Sequence, residues 1–387
     1  MGLLLLVVNV RLYGPGDLDT SLAQLAHLRT ALGEGAAEDM QRSFPEGYVF
    51  TWSLYGLASA QAAQQLPSED PRRRALLDEA RRAVEHLDTD VARAPFPAYL
   101  PPEYGAFYAS WRTYALATYV RTASPARVEP TLLVRLDRQC QQLASALGRS
   151  MTPFLSSYPG LAWPADTAVG IGALGICEQV TDTTYTATIA SWVAAARARQ
   201  DTVWNALAHA ANAQTGAPRG GVRGSSLALM SRVLVDADSA FARAQYEALR
   251  EHFVTSGWGL PGVREYPHGV RGRSDIDSGP IVLGLSGPAV VVAAAAARVH
   301  GDDATARTLF ALGEAFGLPV EWGGERRYLF GQLPVGEAFL VWARTSPQPA
   351  AAASWTRIIP RGWRWPIHLV SVAMLGLLLW LGRRHSD

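Results

Sequence analysis

The stretch YPGLAWPADTAVGIGALGICEQV (158–180) combines two features that decide the fold. It opens on a cluster of Gly, Pro and aromatic residues and closes on a helix-length run of Ala, Gly, Ile and Leu that is apolar on nearly every face. A helix without a polar face belongs in an interior. The same punctuation recurs at PEGY (Gly47), PEYG (Gly105), the present stretch (Trp163), PRGGVRG (Gly221), DIDSGP (Gly279) and LPVGEA (Gly336), at intervals of 58, 58, 58, 58 and 57 residues. A period this regular identifies a repeat protein, in which each unit buries its apolar face only against its neighbours.

Between these runs lies a second set of segments, more charged and amphipathic: 18–33, 71–92, 130–148, 184–200, 239–254 and 303–317. In the second of them Ala75, Leu76, Ala80, Ala83, Val84 and Leu87 form one stripe, while Arg72, Arg73, Glu79, Arg82 and Glu85 lie off it. Pro71 and Pro130 suit a first helical turn. The chain therefore alternates an outer amphipathic helix with an inner buried one, and almost no strand-length alternation of period two is present. The expected fold is all-α, an (α/α)6 barrel or toroid of six outer/inner helix pairs over residues 18–350.

Two flanking segments differ in kind. PIHLVSVAMLGLLLWLG (366–382) is 17 residues without a formal charge, bounded by Arg361 and Arg364 before and by Arg383 and Arg384 after. Its length and its Trp363, Trp365 and Trp380 predict a transmembrane helix, preceded by a linker (351–365) and followed by a basic tail (383–387). The N-terminal apolar segment (1–17) contains LLLLVVNV (3–10), too short to span, and reads as the start of the fold or the remnant of an anchor or signal.

Composition narrows the function. Apolar residues make up 49% of the chain and charged ones 18%, enough for a large core, and a net charge of +1 offers no basic face for nucleic acid. Cys140 and Cys177 fit no metal spacing, and Cys177, in the run IGALGIC, reads as a buried core thiol. There is no Walker motif, GxSxG elbow or HExxH, so neither cofactor nor metal is expected, and the expected partner is a small-molecule substrate.

The inner-helix N-termini of such a toroid point to one end, where their free N–H groups converge. That mouth is the expected site. Asp166 and Asp277 stand at equivalent places before or at inner helices and predict a proton-transferring pair, the competing role being a helix cap. His268, in a Pro-Gly turn, and Tyr48 complete the catalytic candidates. Glu46, Glu103, Tyr108, Tyr158, Trp163, Arg223, Glu265 and Asp275 are the substrate-binding candidates: acids in matching PEG and PEY positions, aromatics for walls, and cations and acids in the two richest loops.

The segments SSYPGLAWPADTAVGIGAL (156–174), GVRGSSLALMSRVL (221–234), GVREYPHGV (262–270) and DIDSGPIVLGLS (275–286) resemble the linalool dehydratase/isomerase family of α/α-barrel proteins, over roughly residues 40–345. The resemblance implies a deep pocket in the barrel mouth and metal-free acid–base removal of water from, and isomerisation of, a terpene alcohol. The family's cysteine after Tyr-Pro is absent, since Gly160 follows Pro159, and the second-repeat helix offers Tyr108, Ser110 and Trp111 in place of a histidine. What the resemblance leaves is Asp166, Asp277, Tyr48 and His268. The expectation is thus a membrane-anchored enzyme, in the inner membrane of a bacterium, with lyase or isomerase chemistry on a small hydroxylated or lipid-like substrate. The alternatives are a glycan-processing glycosidase or polysaccharide lyase and a non-catalytic ligand-binding toroid.

Overall fold

The structure is a computed structural model that describes residues 2–350 and 353–384. In chain order the helices are α1 (Gly2–Arg11), α2 (Leu18–Gly33), α3 (Ala36–Ser43), α4 (Gly47–Gln65), α5 (Pro71–His86), α6 (Asp90–Arg93), α7 (Gly105–Ala123) and α8 (Pro130–Arg149). They continue with α9 (Pro164–Val180), α10 (Thr186–Arg197), α11 (Gly224–Val233), α12 (Ser239–His252), α13 (Gly287–Val299), α14 (Asp303–Phe316), α15 (Pro334–Thr345) and α16 (Trp365–Arg384).

Six of these close a ring: α4 packs on α7, α7 on α9, α9 on α11, α11 on α13, α13 on α15, and α15 returns to α4. Around them α2, α5, α8, α10, α12 and α14 each lie against an inner helix. The expected (α/α)6 toroid is what these contacts build. Sequence explains the two layers. Helix α9 is buried from Pro164 to Cys177 on every face, whereas α5 buries only Ala80, Ala83 and Val84. Glycine sets how closely the inner helices approach. A Cβ on Gly175 would fall 2.1 Å from the carbonyl oxygen of Asp236, and one on Gly172 would fall 2.6 Å from that of Val233, so both positions require a residue without a side chain. Several outer helices start on aspartate caps, with Asp17, Asp70, Asp238 and Asp302 accepting from Thr20, Arg72, Phe241 and Thr305 backbone N–H groups.

The loops that enter the inner helices carry short two-stranded ladders, three of them hairpins, that the sequence pattern did not announce. Leu161–Ala162 pairs with Ala211–Asn212, Val254–Thr255 with Gly262–Val263, Ile281–Val282 with Leu285–Ser286, and Val320–Trp322 with Glu325–Arg327, all antiparallel. They also disturb the period. The fifth inner helix was expected to follow directly on Pro280; a hairpin occupies 281–286 instead, and α13 starts at Gly287 on a Ser286 cap, whose Oγ accepts from Ala289 N.

Two further expectations need correction. Cys140 and Cys177 are buried, but not as thiols: they form a disulfide between α8 and α9 with Cα atoms 6.6 Å apart. The C-terminal segment is helical, yet among the described residues no helix is long and apolar enough to cross a membrane. Asn9 of α1 donates to Ser371 Oγ at 2.8 Å and pairs with His368 Nδ1 at 2.5 Å, so the root of α16 is a polar helix–helix contact. The uninterrupted apolar part begins only at Val372. Residues 385–387 of the basic tail lie outside the described residues.

Candidate active site in the ring mouth

The mouth is built at the N-terminal ends of the inner helices. Asp166 is the third residue of α9 and is 9% exposed. It does not cap its own helix, whose N-terminal flank, Trp163, makes no side-chain cap. Its carboxylate accepts instead from Ser157 Oγ at 2.5 Å. Burial is the main cause that pushes its carboxyl up to about 8; the Ser157 bond opposes this, and the charges of Glu46 and Asp277 add to it. Such surroundings favour the protonated acid at neutral pH.

Glu46, just before α4, accepts from the hydroxyl of Tyr158. This contact joins the first repeat to the third. Tyr158 packs edge-on against Trp163, with ring centroids 5.9 Å apart, and lies 6.0 Å from Phe96. Burial and its bond to the Glu46 carboxylate push the Tyr158 phenol well above the ordinary tyrosine range, so Tyr158 is a hydrogen-bond donor and not a base.

Asp277 approaches from the fifth repeat. It does not cap α13 either, since that role falls to Ser286. Its carboxylate lies 3.5 Å from His209 Nε2, and its side chain keeps 46% exposure at the lip. Burial by the surrounding protein raises its carboxyl to about 6, with help from the Asp275 and Glu46 charges and against that of Arg223. Asp166 feels both Glu46 and Asp277, and Asp277 feels Glu46, so acids of repeats one, three and five lie within electrostatic reach of one another.

The remaining groups organise this lip. Arg223, immediately before α11, pairs with Asp275 and lies over the Tyr266 ring at 5.5 Å. Burial works against Asp275, yet the Arg223 hydrogen bond overcomes it and holds that carboxyl below the usual range. His209 Nδ1 is 2.6 Å from Ser226 Oγ, and burial lowers the imidazole to about 4, so it is neutral. Glu265 is fully buried and accepts from Ser225 Oγ at 2.8 Å, while its Oε2 has no partner. Burial raises its carboxyl to about 7. His209, Asp275 and Asp277 each present a ligand atom within 4.8 Å of the others, as a divalent cation would require. Arg223 already supplies the positive charge there.

Asp166, Asp277, Glu46, Tyr158, Trp163, Arg223, Glu265 and Asp275 therefore gather at or around the mouth. The other candidates do not. Tyr48 is buried and turns outward, its hydroxyl 3.0 Å from His86 Nδ1 of α5. Tyr108 is fully buried and donates to the Leu87 carbonyl at 2.8 Å. Helical phase explains both: one residue's rotation on an inner helix separates the lumen from the outer layer. His268 is exposed and its Nε2 lies 3.3 Å from the Val254 carbonyl. Glu103 is exposed and lines a surface groove with Arg138 and Arg149. Sequence reasoning missed His209, which sits in WNALAHAANAQTG (204–216), a segment without the repeat's punctuation, and Ser157, whose only signal is its place before Tyr158.

No family model matches the chain, and no curated protein matches it either; the resemblance to linalool dehydratase/isomerase gains no support from these comparisons. Among solved structures, a GH76 α-mannanase of Bacteroides thetaiotaomicron is similar, with a TM-score of 0.47 and 11% identity over 77% of this chain and 86% of that one. At that level of similarity, no residue role or activity is transferred.

Proposed function

We propose that this chain is a glycan-processing hydrolase whose proton donor is Asp166. The observation that carries the reading is the difference in surroundings within one mouth: Asp166, 9% exposed and bonded to Ser157 Oγ, is pushed up to about 8, and Asp277, 46% exposed at the lip beside His209, to about 6. Two carboxyl groups whose surroundings drive their pKa values apart are what cleavage of a glycosidic bond requires. Asp166 delivers its proton to the glycosidic oxygen as the bond from that oxygen to the anomeric carbon breaks. Asp277, ionised beside His209, then acts in one of two ways. As a base it takes a proton from the attacking water, whose oxygen becomes the new hydroxyl, and exchange with solvent returns Asp277 to its ionised and Asp166 to its protonated form. As a nucleophile it adds to the anomeric carbon, and a water that displaces it gives its proton to Asp166 and restores the acid. Tyr158 and Trp163 offer apolar faces beside hydrogen-bonding edges, the surface on which a sugar ring stacks, and Arg223 and Glu46 offer polar partners for hydroxyl groups.

The test is a panel of α- and β-linked oligosaccharides and polysaccharides, read by release of reducing ends. Hydrolysis of at least one glycan by the wild type, lost in Asp166→Asn and in Asp277→Asn with helical content unchanged, is the expected result. The anomeric configuration of the first product then tells which role Asp277 plays. Undiminished hydrolysis in both variants, or no hydrolysis of any glycan by the wild type, overturns the reading.

A further inference from the structure

The segments outside the ring hold a surface that the mouth chemistry does not use. Residues 1–16 and 351–386 contain no Asp or Glu, in a chain that carries 34 acids and 35 bases in all. Helices α1 and α16 come from these two segments and pack on each other. They run antiparallel: a Cβ on Gly2 would lie 3.3 Å from Leu375 Cδ2, while Asn9 meets Ser371 and His368, and Tyr13 Oη is 2.9 Å from His368 Nε2. Asn9, His368 and Ser371 are therefore paired with one another at the root. Beyond them, Leu3 and Leu6 of α1 and Val372 and Leu379 of α16 are each more than half exposed. Isolated exposed leucines are ordinary, but a continuous two-helix surface of them marks an interaction site.

The root supplies the charge. Arg357 and Arg361 are exposed. Arg364 donates to the Leu12 carbonyl at 2.9 Å and lies over Tyr13 and Trp363 at 4.8 and 4.5 Å. Trp365, 68% exposed, stands at the same level. Arginine and tryptophan at the base of an apolar projection are the groups that settle among lipid headgroups. The apolar reach matches too. Val372–Trp380 rises about 14 Å at the helical rise, close to half of the roughly 30 Å hydrocarbon core.

We infer that α1 and α16 together form a wedge that inserts into one leaflet of an anionic lipid surface, with Arg357, Arg361 and Arg364 on the headgroup phosphates. No spanning helix is needed for this mode of attachment. Pro366, at the wedge root, lies against Gly259 in the loop that leads to Glu265 and Asp277, so the anchor and the mouth share a support.

The test uses the full chain, without detergent, in co-sedimentation with phosphatidylcholine vesicles with and without phosphatidylglycerol. Binding is expected to be tighter to the anionic vesicles and weakened by salt. Arg357→Gln and Arg361→Gln should each weaken it by roughly fivefold. The double variant Val372→Asp/Leu379→Asp should abolish it while leaving the thermal unfolding midpoint unchanged, and Asp166→Asn should bind as the wild type does. Trp380 fluorescence should be quenched by brominated acyl chains, a signal lost in Trp380→Phe. Protein that stays in the supernatant with both vesicle types overturns the inference. So does a concentration-dependent dimer that the Val372→Asp/Leu379→Asp variant dissolves, since a second copy would then cover the face.

Discussion

Asp166 and Asp236 are two nearly buried aspartates at opposite ends of the same ring, and their surroundings drive them in opposite directions. Asp236, just past the C-terminal end of α11, accepts from Tyr114 Oη at 2.6 Å and from Arg121 and Arg232 at 2.9 and 3.3 Å. Burial works against its charge, but Arg232 and Arg121 outweigh it and hold the carboxyl below 3.8. Asp166 has one serine hydroxyl and two other acids as its neighbours, and rises to about 8. The first is a closed charge network that fixes helices together. The second is an acid kept without a cation at the N-terminal end of an inner helix. Burial alone does not mark function; burial without compensation does.

The comparison breaks if the two sites respond alike to mutation. Asp166→Asn should lower turnover by about 10²- to 10⁴-fold, the usual contribution of a positioned acid, with no loss of stability. Asp236→Asn should do the reverse. It leaves Arg121 and Arg232 facing a neutral group, costs about 3–5 kcal/mol of folding stability, and leaves turnover per folded molecule nearly unchanged. Denaturant unfolding and initial rates on the two variants decide this.

Reducing the Cys140–Cys177 disulfide bears on the structural side only. It closes a loop of 37 residues, and its loss should cost about 2–4 kcal/mol of stability without altering the pH profile of activity, as unfolding curves and rates with and without a reductant would show.

The pH dependence sharpens the contrast further. Activity should be bell-shaped, rising as Asp277 ionises near 6 and falling as Asp166 loses its proton near 8. Stability should diverge by site. The folded-state value of Asp166 is raised above its unfolded 3.8, so the wild type carries no penalty below about 4 and loses stability as pH climbs to about 8. Asp166→Asn should therefore gain on the wild type across that window. Asp236 is depressed, so its contribution is present above 3.8 and disappears as pH falls through its folded value. The deficit of Asp236→Asn should shrink in acid. The smallest effect is expected from Ser157→Ala. The Ser157 bond favours ionised Asp166, so its removal should move the alkaline limb of the activity profile upward by a fraction of a pH unit.

The ring was legible in the sequence because helices apolar on all faces and helices apolar on one face are physically different objects, and they alternate here. The gathering of Asp166, Asp277 and Glu46 was legible for a related reason: inner-helix N-termini must share one end. Less was readable where helical phase or loop path decides the outcome. Tyr48 and Tyr108 stand on the right helices but face the outer layer. His268 lies in the right loop but is exposed beside the Val254 carbonyl. His209 reaches the mouth through an irregular segment whose path depends on the Leu161–Ala162 and Ala211–Asn212 pairing. The C-terminal segment reads as a span in sequence, but among the described residues no helix is long and apolar enough to cross a membrane, and its contacts with the first helix were not readable. Asn9, 359 residues away from His368 along the chain, turns the root of that helix into a polar contact.

The most direct test of the central claim needs no substrate. Carboxyl carbons of ¹³C-labelled aspartate are followed by NMR through a pH titration, with the Asp166 resonance assigned by its absence in Asp166→Asn. A midpoint near 8 is the expected result, and it establishes Asp166 as a protonated acid at neutral pH. A midpoint near 4, that of an ordinary aspartate, would contradict the account.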